Sequence, residues 1–557
     1  MDITIEKRAS VATKHPASED KALRWVIAAL VATLLLQLPI VLNRAINWDE
    51  FFHYSQVVKL ANGTLTLPLQ TLYTRAFVWV PGLPGLGVDH IIIIRLFMLA
   101  CELVTLACIA GMAARFTNWT TGLLCALAYL SASFIFRHGT SFRFDPPAAA
   151  LLMASAWILL RWGLRTPALL AAALLTGIST VLTVKTVLYA PVFAGIAWLL
   201  WTEGGRRRED MLRLLALAFG VILCAAIIYG LHAGTLGEES NGEARGVLTR
   251  AGSRMFARKD FSHLDFTLLF ALTSPAITAA AIAAPVVIWL RGGDKAGKIA
   301  LIGMWLPLAT LAFYQNTYPY YYVFMMSPVA VATAPAFALA SRRFGARFVA
   351  SIMALCAVAV LVSEPENVIE RQRQIQREAR QIFPGGVAYF DCCAMLGTFP
   401  KANVFMTDWG VEQYRARDMP NMVDAMEQKP VPLLLNNTPM FNNVLKNRSE
   451  SGALLPQDAA AIRDTYVPFW GPFWLAGKIM VIGGQPIAWN VRVPGPYTVR
   501  DGAMIIDGRS VASGEVVNLN RGLHILHAKE RSVRLLWGDK LVAPIAPPPE
   551  KRYFMPF

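Results

Sequence analysis

Residues 23–54 read LRWVIAALVATLLLQLPIVLNRAINWDEFFHY, and the order of their chemistry decides the fold class. Between Arg24 and Arg44 no side chain is charged. Such a run spans roughly 30 Å of hydrocarbon at about 1.5 Å rise per residue. It lacks the small-residue cleavage site of a removable signal, so it reads as a retained membrane span. Asp49 and Glu50 follow at once, then Phe51, Phe52, His53 and Tyr54. The stretch to Leu60 predicts an amphipathic helix on the outer membrane surface, with Phe51, Phe52 and Val58 available to the interface.

The same kind of apolar block recurs outward from this stretch. The chain has 557 residues, 55% hydrophobic and 16% charged, where a soluble chain carries about a quarter charged. Blocks of roughly 17–25 residues predict about eleven spans, at roughly 24–42, 91–113, 119–136, 146–160, 167–184, 187–202, 211–232, 266–290, 299–314, 320–340 and 347–363. The net charge of +15 does not indicate nucleic acid, because much of it lies in short loops between apolar blocks. Lys7, Arg8, Lys14, Lys21 and Arg24 precede the first span. Arg115, then Arg161 and Arg165, then Arg206, Arg207, Arg208 and Arg213, then Arg291, Lys295 and Lys298, then Arg342, Arg343 and Arg347 occupy alternate loops. All fall on one side of an eleven-span chain, which the positive-inside rule makes the cytoplasm. The opposite side then holds the loops 43–90, 137–145 and 233–265, the turns near Lys185 and at 315–322, and the tail 364–557.

The expected fold class is a polytopic α-helical membrane protein with a C-terminal extracytoplasmic soluble α/β plus β domain. Residues 1–23 form a cytoplasmic tail, 24–363 the transmembrane domain with outer loop 43–90, 364–477 an α/β region and 478–557 a β region. The α/β expectation rests on short apolar runs at 387–390, 403–407 and 431–435 between helix-like polar stretches. After about Lys478 the turn signals Gly483-Gly484, Pro494-Gly495, Asp501-Gly502, Asp507-Gly508 and Arg521-Gly522 predict closely spaced antiparallel strands. Cys101, Cys108, Cys125, Cys224 and Cys356 lie in apolar blocks and read as packing residues. Neighbouring cysteines rarely bridge, so Cys392 and Cys393 receive no role. No Cys/His spacing of a metal site is present.

Four clusters on the outer side can carry chemistry. Asp49 and His53 stand at i and i+4 and share a helix face. Asp49 is either a general base, or a group positioning a cation or sugar, or a helix cap. Asp145 opens the fourth span behind Arg137, His138 and Arg143, and is either a second acid or a cap before Pro146 and Pro147. Arg75 and Lys185 are cations on the outer side. Lys185 interrupts an apolar run, which is costly unless it reaches water or an anion, and both suit phosphate oxygens. Tyr314, Tyr318, Tyr320, Tyr321 and Tyr322 are interface residues or a sugar- or phosphate-binding surface.

With these residues in view, the chain resembles the GT-C superfamily glycosyltransferases, and within it the lipid A aminoarabinose transferases and protein O-mannosyltransferases. The resemblance covers roughly residues 24–340. It rests on Asp49-Glu50 after the first span, Arg75 late in the same loop, Asp145 opening a later span, the Leu-Thr-Val-Lys-Thr turn with Lys185, and the tyrosine-rich turn before Pro328. Arg75-Ala76-Phe77 stands where the family has Lys-Pro-Pro, and Val184-Lys185-Thr186 where it has Thr-Lys-Gly. The resemblance implies a polyprenyl-phosphate-linked sugar donor and a lipid, glycan or protein acceptor. Asp49 is then the general base, aided by Glu50 and Asp145, and Arg75, Lys185, Arg143 and His138 hold the donor phosphate. His53, Tyr320 and Tyr321 contact substrate. No metal ligand set is assigned, though paired acids permit a divalent cation. A multi-pass protein of a bacterial inner membrane, acting in the cell envelope on its periplasmic side, follows from the same resemblance. A transporter or flippase for a lipid-linked or anionic substrate is the alternative, since it too needs outward cations.

Overall fold

The computed structural model describes residues 16–236, 263–418, 420–446, 453–480, 485–528 and 532–555. Lys7, Arg8, Lys14, most of the loop 233–265 and the Gly483-Gly484 turn lie outside these residues. In chain order the first helices are α1 (Pro16–Asn43), α2 (Trp48–Ala61), α3 (Thr74–Phe77), α4 (Gly87–Phe116), α5 (Trp119–Leu130), α6 (Ser133–His138), α7 (Asp145–Trp162), α8 (Thr166–Leu182), α9 (Ala190–Glu203) and α10 (Arg208–Ala233). Then come α11 (Leu264–Thr273), α12 (Pro275–Arg291), α13 (Lys295–Trp305), α14 (Tyr321–Ala332), α15 (Ala334–Phe344), α16 (Ala346–Val362) and α17 (Ile369–Ile382). The chain divides into two compact units. The first holds Met1–Leu42, Thr66–Tyr73 and Arg95–Glu364, and the second holds Asn43–Leu65, Thr74–Ile94 and Pro365–Phe557.

The first unit is helical. Among the described residues, four helices are long and apolar enough to cross a membrane, or six if each of two bent pairs counts as one span. The others are short or broken for identifiable reasons. α11 and α12 meet at 105° across Ser274 and Pro275, and the Ser274 hydroxyl accepts the Ser133 N–H at the start of α6 (2.8 Å). α14 and α15 meet at 62° across Thr333, where Pro335 starts the new helix. Every residue of α14 is buried, and the helix packs against α5, α7 and α13. Pro328, inside α14, cannot donate to the carbonyl of Phe324 four residues back. The Tyr189 hydroxyl donates to it instead (2.7 Å), in a setting where an unsatisfied carbonyl costs several kcal/mol. Gln37 on α1 satisfies another such pair, donating to the Phe136 carbonyl (3.1 Å) and to Glu102 of α4 (3.3 Å).

The second unit is α2, α3, the 74–94 segment and the tail. Its strands are β1 (Tyr389–Phe390), β2 (Leu433–Leu435), β3 (Tyr466–Trp470), β4 (Phe473–Met480), β5 (Ile487–Val491), β6 (Gly495–Arg500), β7 (Met504–Ile506), β8 (Arg509–Val511), β9 (Val516–Leu519), β10 (Gly522–Ala528) and β11 (Val533–Trp537). Seven strands form one sheet in the order β1-β2-β4-β11-β6-β9, with β3 also beside β4, and four form a second in the order β5-β10-β7-β8. β1 and β2 are parallel and the β-rich part is antiparallel. Met480, Val499 and Leu535 of the first sheet share a core with Trp489, Met504 and Leu526 of the second. Because β4 pairs with both β2 and β11, position 478 lies inside a strand of one continuous sheet. The Asp507-Gly508 signal is a two-residue hairpin turn between β7 and β8, both residues at positive φ (52° and 84°).

Two expectations are corrected here. Residues 403–407 are not a strand; the Asn403 side chain instead accepts from Lys401 (2.5 Å) and donates to the Asp391 carbonyl (2.9 Å). Cys392 and Cys393 are joined by a disulfide. They sit in a tight turn in which the Asp391 carboxylate accepts the N–H groups of Ala394 and Met395 (both 2.9 Å), which holds both sulfurs in the protein interior.

Candidate active site

The loop between α6 and α7 ends in Arg143, Phe144 and Asp145. Phe144 supplies no side-chain cap to α7, and Asp145 does not act as one either. Its carboxylate turns to two cations, Lys185 (Nζ to Oδ1, 2.5 Å) and Arg143 (Nε to Oδ2, 3.4 Å). All three are buried. Lys185 is placed by a short 3-10 segment (Val184–Tyr189) whose start is held by the Thr183 hydroxyl accepting the Lys185 N–H (3.3 Å). The Arg143 guanidinium lies 3.4 Å from the centre of the Tyr320 ring. The Lys185 ammonium is 4.8 Å from the Phe144 ring and 5.6 and 5.7 Å from those of Tyr320 and Tyr321. Two cations around one carboxylate, walled by aromatic faces, form a setting in which electrostatic interactions are strong and anions are favoured. Tyr321 is fully buried, and its hydroxyl is engaged with Thr310 (2.7 Å), so the ring is what it presents. His138 is buried at the end of α6.

A cavity of about 450 Å³ is lined by Val184 and Thr186, the neighbours of Lys185 on either side, and by residues such as Phe193, Leu217 and Val221 of α9 and α10. Its lining is mainly apolar, with the hydroxyl-bearing residues Ser155, Thr176, Thr180 and Thr186 among it. The hydroxyls of Ser155 and Thr176, which also border it, bond to each other (2.9 Å).

The remaining candidates lie in the second unit. The N-cap of α2 is Asn47, not Asp49: its side chain accepts the Asp49 N–H (2.9 Å), and Glu50 accepts the Asn47 N–H (3.0 Å) in a closed capping box. Glu50 is therefore committed to the helix start and is buried. Asp49 is half-buried in the first turn, where the helix dipole favours negative charge, with buried His53 one turn on. Arg75 is exposed on α3. The apolar face of α2 does not lie open to a membrane interface. Phe51 and Val58 are buried, and Phe52 packs on Phe405 of the tail (4.5 Å between ring centres), because the tail supplies the apolar surface the helix needs. Burial holds the Tyr54 phenol above its usual value, and it meets His90 Nδ1 (2.5 Å), whose Nε2 faces the Leu83 carbonyl (3.0 Å).

Sequence reasoning thus named Arg143, Asp145, Lys185, Tyr320 and Tyr321, which the structure brings together, and Asp49, Glu50 and His53, which share one helix. It missed Phe144 and Thr183, whose residue types carry no signal, and the cap Asn47, whose Asn-x-x-Glu spacing was visible. Among the described residues no group of three or more His, Cys, Asp or Glu side chains is disposed to hold a metal ion.

No protein-family model matches the chain, and no curated protein sequence matches it. Solved structures do. The fold is that of a polytopic helical membrane protein with a C-terminal β-rich domain, and it is similar to structures of the GT-C type. In particular, the chain is similar to ArnT from Cupriavidus metallidurans bound to undecaprenyl phosphate, with TM-score 0.54 and 13% identity over 77% of this chain and 95% of that one. It is also similar to the oligosaccharyltransferase of Archaeoglobus fulgidus in the apo form, with TM-score 0.53 and 11% identity over 79% of this chain and 72% of that one. The same archaeal enzyme in complex with zinc and sulfate gives TM-score 0.50 and 11% identity over 80% of this chain and 73% of that one.

Proposed function

We propose that the chain is an integral membrane glycosyltransferase that moves a sugar from a polyprenyl-phosphate-linked donor to an acceptor hydroxyl on the extracytoplasmic face. The observation that carries this reading is the buried Arg143–Asp145–Lys185 cluster, together with a mainly apolar cavity lined by Val184 and Thr186, the chain neighbours of Lys185. A lipid phosphate needs both features, cations for the headgroup and a dry surface for the chain. The undecaprenyl phosphate held by ArnT, whose fold is similar, supports the same class of donor.

In the transfer, the acceptor oxygen bonds to the anomeric carbon while the bond from that carbon to the donor phosphate oxygen breaks. The departing polyprenyl phosphate gains negative charge, which Arg143 and Lys185 stabilise, with Asp145 holding both in place. Arg75 and His138 keep the sequence-derived role of phosphate partners. Asp49 takes the acceptor proton as general base; Glu50 holds its helix start, and His53 and Tyr320 contact substrate. The reading includes about eleven spans, some short or broken, in an inner membrane, with the tail outside.

The test is transfer of label from radiolabelled polyprenyl-phosphate sugars to membrane extract, comparing wild type with Asp49→Asn. Wild type transfers, and the variant loses about 10²–10⁴-fold in rate while inserting normally. Full activity in the variant sinks the base assignment. Wild type that flips a lipid-linked sugar without transferring it makes the protein a transporter.

A further inference from the structure

The tail holds the helix that carries Asp49, and a single glutamine does much of the holding. Gln372 on α17 is fully buried. Its Oε1 accepts the Ile46 N–H (2.8 Å) and its Nε2 donates to the Ile46 carbonyl (2.8 Å). Ile46 is the residue before the N-cap of α2, so this paired bond fixes the chain where the helix begins. The same Nε2 donates to the Tyr553 carbonyl (2.9 Å). Next to Tyr553, Phe554 meets Trp48 (6.0 Å, 71°) and Phe51 (6.2 Å, 77°) edge-on. Those two rings flank Asp49 and Glu50 in sequence. One turn further along α17, Gln376 accepts the Val88 N–H (3.1 Å) and donates to the Met395 carbonyl (2.7 Å). The turn after Met395 reaches α2 again: a Cβ on Gly397 would stand 2.8 Å from the Tyr54 ring, so only glycine admits that approach.

We infer that Gln372 is a positioning residue: through Ile46 and Tyr553 it sets where the first turn of α2, and so the Asp49 carboxylate, is held during transfer. The inference rests on the proposed role of Asp49. An amide is required because the site asks for one acceptor and two donors from one planar group. A glutamate has the same shape but turns an anionic oxygen toward the carbonyls of Ile46 and Tyr553. A displacement of about 1 Å at a reacting group costs about 10²-fold in rate, whereas donor binding at the cations of the other unit is untouched.

The experiment compares purified full-length wild type, Gln372→Glu, Phe554→Ala and Asp49→Asn in two measurements, amide hydrogen exchange over residues 44–52 and steady-state transfer. Gln372→Glu exchanges faster at 44–52, and its kcat falls about 10- to 100-fold with the KM for the lipid donor unchanged. Phe554→Ala shows the same pattern more weakly and substitutes for Gln372→Glu if that variant fails to fold. Unchanged exchange overturns the inference, and so does faster exchange with an unchanged kcat or a loss confined to KM. Asp49→Asn that transfers as wild type overturns the base assignment instead. If wild type itself transfers nothing, the proposed function fails, and exchange at 44–52 still decides whether Gln372 holds the helix.

Discussion

Among the described residues, two buried lysine–aspartate pairs, one in each unit, are built differently. Around Asp391 the bonding is closed: the carboxylate meets Lys401 (3.0 Å), two backbone N–H groups and the Asn437 amide (3.3 Å). Lys401 directs its ammonium to Asp391 Oδ1, the Asp391 carbonyl and Asn403, three acceptors for three hydrogens. Burial pulls that ammonium down to about 8, against the raising effect of Asp391. Around Asp145 two cations share one carboxylate, the neighbours are aromatic rings rather than amides, and the residues on either side of Lys185 line a mainly apolar cavity. A buried ion pair by itself says little about function. The ratio of cations to carboxylate and the surface beside them separate a pair that ties a loop from one suited to an anion.

The comparison can be broken in three places. Lys185→Met loses about 10²–10³-fold in transfer kcat, read with the labelled donor; an unchanged kcat would make the Asp145 cluster structural like its counterpart. Lys401→Met leaves Asp391 buried with one partner fewer, at a cost of about 3–5 kcal/mol. It lowers the thermal unfolding midpoint and leaves the donor KM as it was, and a changed KM would assign Lys401 to the substrate. The smallest effect belongs to an exposed pair, Asp507 with His524 (2.6 Å). The Ile525 N–H, then His524, holds the Asp507 carboxyl below its usual value. A depressed carboxyl stabilises the fold above its unfolded value and loses that contribution as pH falls through the folded one. The stability gap between wild type and Asp507→Asn is therefore full near neutrality, below about 1 kcal/mol given its exposure, and closes in strong acid. A gap that widens on acidification reverses the sign.

The sequence made the Asp145 cluster legible because charged residues beside or within apolar runs stand out. Asp145 and Lys185, 40 residues apart, were both visible for that reason, and Arg143 came with them. The breaks at Pro275 and Pro335 follow from chemistry that was on view, yet the periodicity alone ran each pair into one span. The hairpin at Asp507-Gly508 was legible from its turn residues. Less could be read of α2. Its apolar face looked fit for a membrane surface, since nothing local distinguishes lipid from the tail of the same chain. Gln372 and Phe554 carry no signal at all: an uncharged amide and a lone aromatic acquire meaning only from what long-range folding sets against them.

The bonds between Ile46 and Gln372 join residues 326 positions apart. At about 5–20 residues per second, a ribosome needs roughly 16–65 s to travel from the first to the second. During that interval α2 has been synthesised without any of its tail partners, and Phe51, Phe52 and Val58 have nothing of their own chain from the tail to cover them. Biogenesis thus leaves the Asp49 helix waiting for the partners that later cover its apolar side chains. The surroundings of this helix are therefore complete only once Gln372, Tyr553 and Phe554 have all been made.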